Sequence, residues 1–583
     1  MRILFLTHSF NSLAQRLHVE LTRRGHELSV EFDINDQVAV EAVALFRPDL
    51  VVAPFLKRAI PEAVWSRHVC LVVHPGIVGD RGPSALDWAI LEGEREWGVT
   101  VLQANEVMDG GPIWASRCFP MRGARKSSLY RNEVTEAAVA AVLEAVDKFA
   151  AGHVRPEPLD YGKPEVRGRA RPLMTQEARR IDWQRDDTET VLRKIRSGDS
   201  FPGVLDRIAG GEYYLYNARP EGRLRGAPGS LIARRHGAIL RGTRDGAVWI
   251  THVKPKADGG FKLPAASVLG EALGDVPALD LPVLPARDGE TYQDIFYEEE
   301  WRDGVGIGYL HFDFYNGAMS TADCLRLRDA FAAAAAREIR VIVLMGGPDF
   351  WCNGIHLNVI EAAASPADES WANINAMDDL CLAILRAGRQ LTIAALQGNA
   401  GAGGVFLALA ADRVLARQGV ILNPHYKGMG NLFGSEYWTY LLPKRVGAER
   451  AREITGNRLP LGAPEAQALG LIDDCFGADV PAFARGVRAA ARELALRPDF
   501  EALLAAKRAG RERDEVEKPL ARYREEELEH MKLNFYGFDP SYHVARYHFV
   551  HRVPHAWTPL HLARHRRRMW ERQGMLKGRE AVA

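Results

Sequence analysis

His74 closes the apolar run Leu71–Val73 and is followed at once by Pro75 and Gly76, while Asp109 stands before Gly110 and Gly111. An imidazole and a carboxylate can hydrogen-bond a developing oxyanion and relay a proton, which is the chemistry of acyl transfer. Each also has a plain structural reading, His74 as a strand-end side chain satisfied by backbone and Asp109 as a turn former. The segment RGPSALDWAI at 81–90, lying between them, tips the pair toward a site. Other chemistries have less to stand on. The cysteines at 70, 118, 324, 352, 381 and 475 form no CxxC pair and have no His at ligand spacing. Buried thiols in a reducing, cytoplasmic compartment are expected, and no metal site.

The elements that must carry these residues follow from apolar patterning. Over the first 120 residues, short runs at 3–6, 50–53 and 69–73 alternate with helical patterns such as 13–24, which predicts an open parallel sheet with its ligands at the strands' carboxyl ends. His74 sits at such an end. No GxGxxG opens the fold, so a dinucleotide is not indicated. A Pro-, Gly- and Arg-rich stretch at 152–175 reads as a linker, and 176–253 as a small β-rich domain with one helix at 189–196. After a second proline-rich linker to about 290, strand, helix and strand patterns recur to 480, followed by charged helices over 481–583.

Of 583 residues, 75 are basic and 75 acidic, so the net charge is zero and binding to nucleic acid by whole-surface attraction is excluded. Residues 390–411 carry no charge and are long enough to span a bilayer, but Gln397, Asn399 and four glycines break the run. Strand, glycine turn and buried helix fit better, and no membrane partner is expected. The tail RYHFVHRVPHAWTPLHLARHRRRMW gathers His and Arg, as a solvated helix with amphipathic packing would, or a docking element, or a clamp on phosphates.

Through its HP, RG-P, DWAI and DGG signatures, the segment from 72 to 114 resembles the formyltetrahydrofolate-dependent formyltransferases, a likeness that extends over about 1–250. The resemblance implies catalytic roles for His74 and Asp109, with Gln15 and Arg131 as candidates to line the same folate-binding cleft or as solvated surface. That family also uses an Asn two residues before the His as an oxyanion donor, where this chain has Val72. Losing such a donor costs roughly 10²-fold or more in rate. The site then recruits another donor or serves an easier nucleophile than an amine, such as a thiol.

From 295 to 480, the motifs GGPDFWCNGIHL, LQGNAGAGGVFLALAADRVLA and TGNRLPLGAPEAQALGLID resemble the crotonase (enoyl-CoA hydratase/isomerase) superfamily. That resemblance implies a ββα spiral fold, a coenzyme A pocket, and an oxyanion hole made by the amides of Ile355 and Gly403, with Gly354 and Gly404 permitting close approach. The two positions that carry glutamates in hydratases fall on Phe406 and Tyr426, so water addition is not expected. Tyr426 and Glu436, the latter placed one turn into a helix over NLFGSEYWTYL, are the nearest replacements, although an aromatic half in the core and a helix-dipole partner are equally available readings. His425 is a third candidate proton carrier or a satisfied structural histidine.

The fusion of these two units resembles the HypX (HoxX) family of nickel-iron hydrogenase maturation proteins. It implies formyl transfer from formyltetrahydrofolate to CoA, decarbonylation of formyl-CoA to carbon monoxide, and partners among the hydrogenase maturation proteins. Two alternatives remain: a formyltransferase with another acceptor and a non-catalytic CoA-binding half, and a silent scaffold for hydrogenase subunits.

Overall fold

The computed structural model describes residues 1–572. β1 (Arg2–Thr7), β2 (Glu27–Phe32), β3 (Leu50–Ala53) and β4 (Cys70–His74) run parallel, and β5 (Glu96–Gln103) and β6 (Ile113–Pro120) continue the sheet antiparallel, in the order β2-β1-β3-β4-β5-β6. Along β4, Leu71 and Val73 enter one core while Cys70 and Val72 face the other. The two-residue period puts His74 on the Val72 face at the strand's carboxyl end.

The stretch 152–175 does not behave as a free linker. The amide of Gly168 donates to Val78 O at 3.0 Å and that of Arg171 to Arg81 O at 2.8 Å. A Cβ on Gly82 would lie 2.2 Å from Arg171 O, so the glycine there is demanded by close approach. Proline and glycine signalled irregular backbone correctly, but this backbone is strapped over the loop that follows His74.

Next comes an antiparallel sheet, β7 (Val204–Ile208), β8 (Gly211–Glu221), β9 (Leu231–Arg235), β10 (Ala238–Gly242) and β11 (Ala247–Pro255), ordered β7-β8-β11-β10-β9, with β12 (Leu263–Pro264) on β11. The helix Thr188–Gly198 covers it with Val191, Leu192 and Ile195.

The third unit has two sheets. One is β13 (Ile295–Arg302), β14 (Val305–Phe312), β15 (Val341–Met345), β17 (Leu391–Leu396), β19 (Arg413–Arg417) and β22 (Asp474–Phe476), antiparallel only at β13. The other is β16 (Phe350–Cys352), β18 (Asn399–Gly401), β20 (Ile421–Asn423) and β21 (Leu461–Gly462). The uncharged run at 390–411 resolves into β17, β18 and the buried helix Gly403–Leu409. Among the described residues no helix is long and apolar enough to cross a membrane.

Beyond β22, the helix Val480–Ala495 seals the larger sheet with Phe483, Val487 and Leu494. The helix Leu520–Tyr536 packs against Pro366–Leu385, burying Leu520, Glu527, Met531 and Phe535. The tail then returns to the first sheet. Leu562 O accepts from Val30 N at 3.0 Å, and Thr558 Oγ1 accepts from Phe32 N at 2.8 Å. His565, fully buried, meets Ser29 and Glu31, and Arg566 also holds Glu31. The His/Arg-rich segment thus caps the β2 edge, which sets aside a free solvated helix for this stretch.

One buried cluster joins all three units. Asp349, just before β16, accepts from Arg125 Nη2 at 2.7 Å, Ser128 Oγ at 2.7 Å and Asn132 Nδ2 at 3.0 Å, while Arg125 Nη1 donates to Asn217 Oδ1 at 2.7 Å. No two of the six cysteines are bonded. Cys70, Cys324, Cys352 and Cys381 are buried, whereas Cys118 is exposed.

Candidate active sites

At the end of β4, the chain turns through Gly76, where a Cβ would lie 2.4 Å from His74 Nε2 and 2.7 Å from Asp80 Oδ1. Only glycine leaves room for the pair that forms there: His74 Nε2 lies 3.0 Å from Asp80 Oδ1. The MDGG turn approaches from the other side with Asp109 in the left-handed region, φ 52°, its Oδ2 accepting from Gly82 N at 3.2 Å and standing 3.6 Å from His74 Nδ1. His74 is therefore flanked by a carboxylate at each ring nitrogen. Asp80 is fully buried and also stands 3.2 Å from Arg171 Nε, whereas Asp109 retains some exposure. The buried carboxylate fixes the ring, and the accessible one is placed to exchange a proton.

Sequence reading found His74 and Asp109 but missed Asp80 and Arg171. Asp80 directly precedes the RGP signature, and Arg171 hides in the stretch taken for a linker. Val72 packs among apolar neighbours, so that position offers no donor.

Gln15 and Arg131 do not join His74. Gln15 donates to Phe10 O and accepts from Asn423 Nδ2 at 3.0 Å, and Arg131 lies over the Phe350 ring at 4.5 Å, 3.9 Å from Asp349. Their elements, the helix Ser12–Arg23 and the π-turn Tyr130–Val134, face the third unit rather than the His74 loop.

The second site assembles where β16 and β18 end. Gly354 has φ +83°, and a Cβ there would come within 3.6 Å of Gly403 N. Among the described residues, neither the Ile355 amide nor the Gly403 amide meets a protein acceptor. Both remain free to polarise a carbonyl. Gly404 instead packs on Cys352, whose O would sit 2.0 Å from a Cβ, so it serves helix–strand packing and not a ligand.

Glu436 packs against Gly403, where a Cβ would lie 2.0 Å from its Oε1. Tyr426 OH lies 2.5 Å from Glu436 Oε2 and 2.9 Å from Ser435 O. When Glu436 is ionised, Tyr426 donates to it. When Glu436 is protonated it donates to Tyr426, which turns its own hydrogen to Ser435 O. The pair thus accommodates a proton in either state. Gly434, φ +92°, clears space for the Tyr426 ring, which stacks on Phe406.

Glu436 is not in a helix. It and Tyr437 have φ 62° and 59°, and the helix starts at Trp438. Buried acceptors on two other helices hold this turn. Asp378 accepts from Glu436 N at 2.8 Å and Ser435 Oγ at 2.9 Å, and Glu527 from Tyr437 N at 2.9 Å and Thr439 N at 2.8 Å. Burial, reinforced by Asp378, pushes the Glu436 carboxyl up to about 8. Burial likewise lifts Asp378 to about 7, against the opposing pull of Arg524, and Glu527 to about 8. The thiols of Cys324, Cys352 and Cys381 are the other titratable groups facing Glu436. His425 lies apart from this pair, its basicity lowered by burial and by His561 and Arg458.

Asp378 and Glu527 were not foreseen, yet a signal existed. Glu527, Met531 and Phe535 stand at i, i+4 and i+8, which places a carboxylate on an apolar stripe.

Family models match along most of the chain. Residues 7–146 match formyl transferase, 173–267 the formyl transferase C-terminal domain, and 315–547 enoyl-CoA hydratase/isomerase. Fold and sites therefore define a formyltransferase joined in one chain to a crotonase-like unit. The hydrogenase maturation factor HoxX of Bradyrhizobium diazoefficiens is 56% identical over 566 residues, 97% of each chain, and this chain belongs to the HoxX/HypX family of hydrogenase maturation factors. A crystal structure of HypX from Aquifex aeolicus in complex with tetrahydrofolic acid superposes with a TM-score of 0.93 at 52% identity, covering 97% of this chain and 99% of that one. Methionyl-tRNA formyltransferase from a Roseiflexus species is 30% identical over 284 residues, 46% of this chain and 83% of that enzyme.

Proposed function

We propose that the chain makes carbon monoxide for hydrogenase maturation in two steps: transfer of a formyl group from formyltetrahydrofolate to the thiol of CoA, then decarbonylation of the formyl-CoA. The observation that carries this reading is the hydrogen-bonded pair Glu436–Tyr426 packed against Gly403, beside backbone amides that meet no protein acceptor among the described residues, in a chain whose first unit matches formyl transferase.

At the first site, His74 steadies the oxygen of the tetrahedral adduct and Asp109 relays the thiol proton to the folate nitrogen as the C–N bond breaks and the C–S bond forms. A thiol is a better nucleophile than an amine, which fits a site with Val72 where a donor is expected. At the second site, the amides of Ile355 and Gly403 polarise the thioester carbonyl. Glu436, hydrogen-bonded to Tyr426, takes the formyl proton, the C–S electron pair leaves on sulfur, carbon monoxide departs, and the proton returns to the thiolate. Exclusion of water matters, because hydrolysis would give formate. Contacts of Gln15 and Arg131 with the third unit support a proposed role for both in meeting a carrier that serves the two sites. Other hydrogenase maturation proteins are the expected partners.

The test supplies formyl-labelled formyltetrahydrofolate with and without CoA. Labelled carbon monoxide that requires CoA is expected. Tyr426→Phe should accumulate formyl-CoA, and His74→Ala should still release carbon monoxide from added formyl-CoA. A labelled amine product, or no turnover by the parent protein, overturns the reading.

A further inference from the structure

We propose that Glu527, on the helix Leu520–Tyr536 near the end of the segment that matches enoyl-CoA hydratase/isomerase, is a positioning residue that together with Asp378 locks Glu436 against Gly403, making that late helix a working part of the second site. The inference rests on the decarbonylation reading and deepens it.

The geometry begins with the backbone. Glu436 and Tyr437 are consecutive non-glycine residues in the left-handed region, a conformation that persists only where surroundings over-determine it. The determinants are two side chains from outside the loop. Glu527 gathers donors from Tyr437 N, Thr439 N, Thr439 Oγ1 at 2.5 Å and Ser435 Oγ at 3.3 Å. Asp378, on the helix Pro366–Leu385, takes Glu436 N and the same Ser435 hydroxyl.

Each carboxyl oxygen of Glu527 takes one backbone N–H, Oε2 that of Tyr437 and Oε1 that of Thr439, while the Thr439 and Ser435 hydroxyls can donate to the ionised carboxyl or accept from the protonated one; the amide of a glutamine would turn an N–H against an N–H. Among the described residues no cation pairs with Glu527, which is fully buried, while Arg524 stands 3.5 Å from Asp378 Oδ2 and also holds Asp379. Burying an unpaired carboxyl is costly, and a brace needed only for folding would be served by neutral groups. A second carboxyl held close also keeps the proton of Glu436 near neutral pH, the property its proposed role requires.

The experiment uses the full chain with Glu527→Gln and Asp378→Asn. Expected is a drop in kcat for carbon monoxide release from supplied formyl-CoA of roughly 10-fold or more, with KM changed by less than about 3-fold, because the lost contact acts on the reacting group and not on thioester binding. Formyl transfer to CoA at the first site, measured in the same preparation, is the internal control and should hold. Wild-type kcat in Glu527→Gln overturns the proposal, as does loss of kcat in parallel with formyl transfer, which would make Glu527 a folding brace.

An activity-independent readout separates this proposal from the reading beneath it. Difference infrared spectroscopy follows the C=O band of the protonated Glu436 carboxyl, assigned by its disappearance in Glu436→Gln. A shift of that band in Glu527→Gln supports positioning even if the parent protein makes no carbon monoxide. An unmoved band overturns it.

Discussion

At the residue scale, the proposed decarbonylation turns on one carboxyl that must surrender its proton before it can accept another. Burial beside Asp378 holds Glu436 up to about 8. It is therefore protonated and inert as a base at lower pH, and carbon monoxide release from formyl-CoA should rise as pH climbs through about 8. Initial rates between pH 6 and 9.5 check this, and Glu436→Gln should abolish the pH-dependent limb with the activity. A profile that falls over the same range would make Glu436 a donor instead. His74, Asp109, Tyr426 and Glu436 were all legible in the sequence because short motifs surround them. Asp378 and Glu527 were not, since each reaches its partner across the fold, and Asp80, only six residues after His74, was passed over because it stands just outside the RGP signature. The backbone of Glu436 was misread: WTYLL predicts a helix that includes it, and acceptors from two distant helices hold residues 436 and 437 out of it.

At the element scale, strand alternation was a dependable guide. The runs at 3–6, 50–53 and 341–345 are strands in register with their neighbours, because buried parallel strands need apolar side chains on both faces. Contacts between units were silent in the sequence. Asp349 lies in GGPDFWC as an ordinary turn residue, yet it is the acceptor on which the π-turn region of the first unit docks. Although burial opposes its ionisation, Arg125 and Arg131 hold its carboxyl well below the usual range. Asp349→Asn should cost about 3–5 kcal/mol, since it leaves buried guanidinium charge without its counter-charge. The difference in urea midpoint between variant and parent measures it. The sign with pH follows. A depressed carboxyl contributes its stability fully above the unfolded value of about 3.9, and that contribution disappears as pH falls toward its folded value, so variant and parent should converge in acid.

At the scale of the whole molecule, a formyltransferase-type unit and a crotonase-like unit are placed in one chain, with a middle sheet and a buried ion cluster joining them. The tail from Thr558 to Arg566 closes the structure by occupying the edge of β2. A version of the protein ending near residue 555 should keep its first sheet but present bare β2 amides, and should self-associate in light scattering where the full chain does not. The same contact bears on how the protein is born. The partner of Phe32 lies 526 residues further along the chain, so at roughly 5–20 residues per second the ribosome exposes that edge for about half a minute to nearly two minutes before its cover emerges. Depleting chaperones, or slowing elongation anywhere between the emergence of β2 and that of its cover, should therefore lower the yield of active protein more than slowing it before β2 emerges.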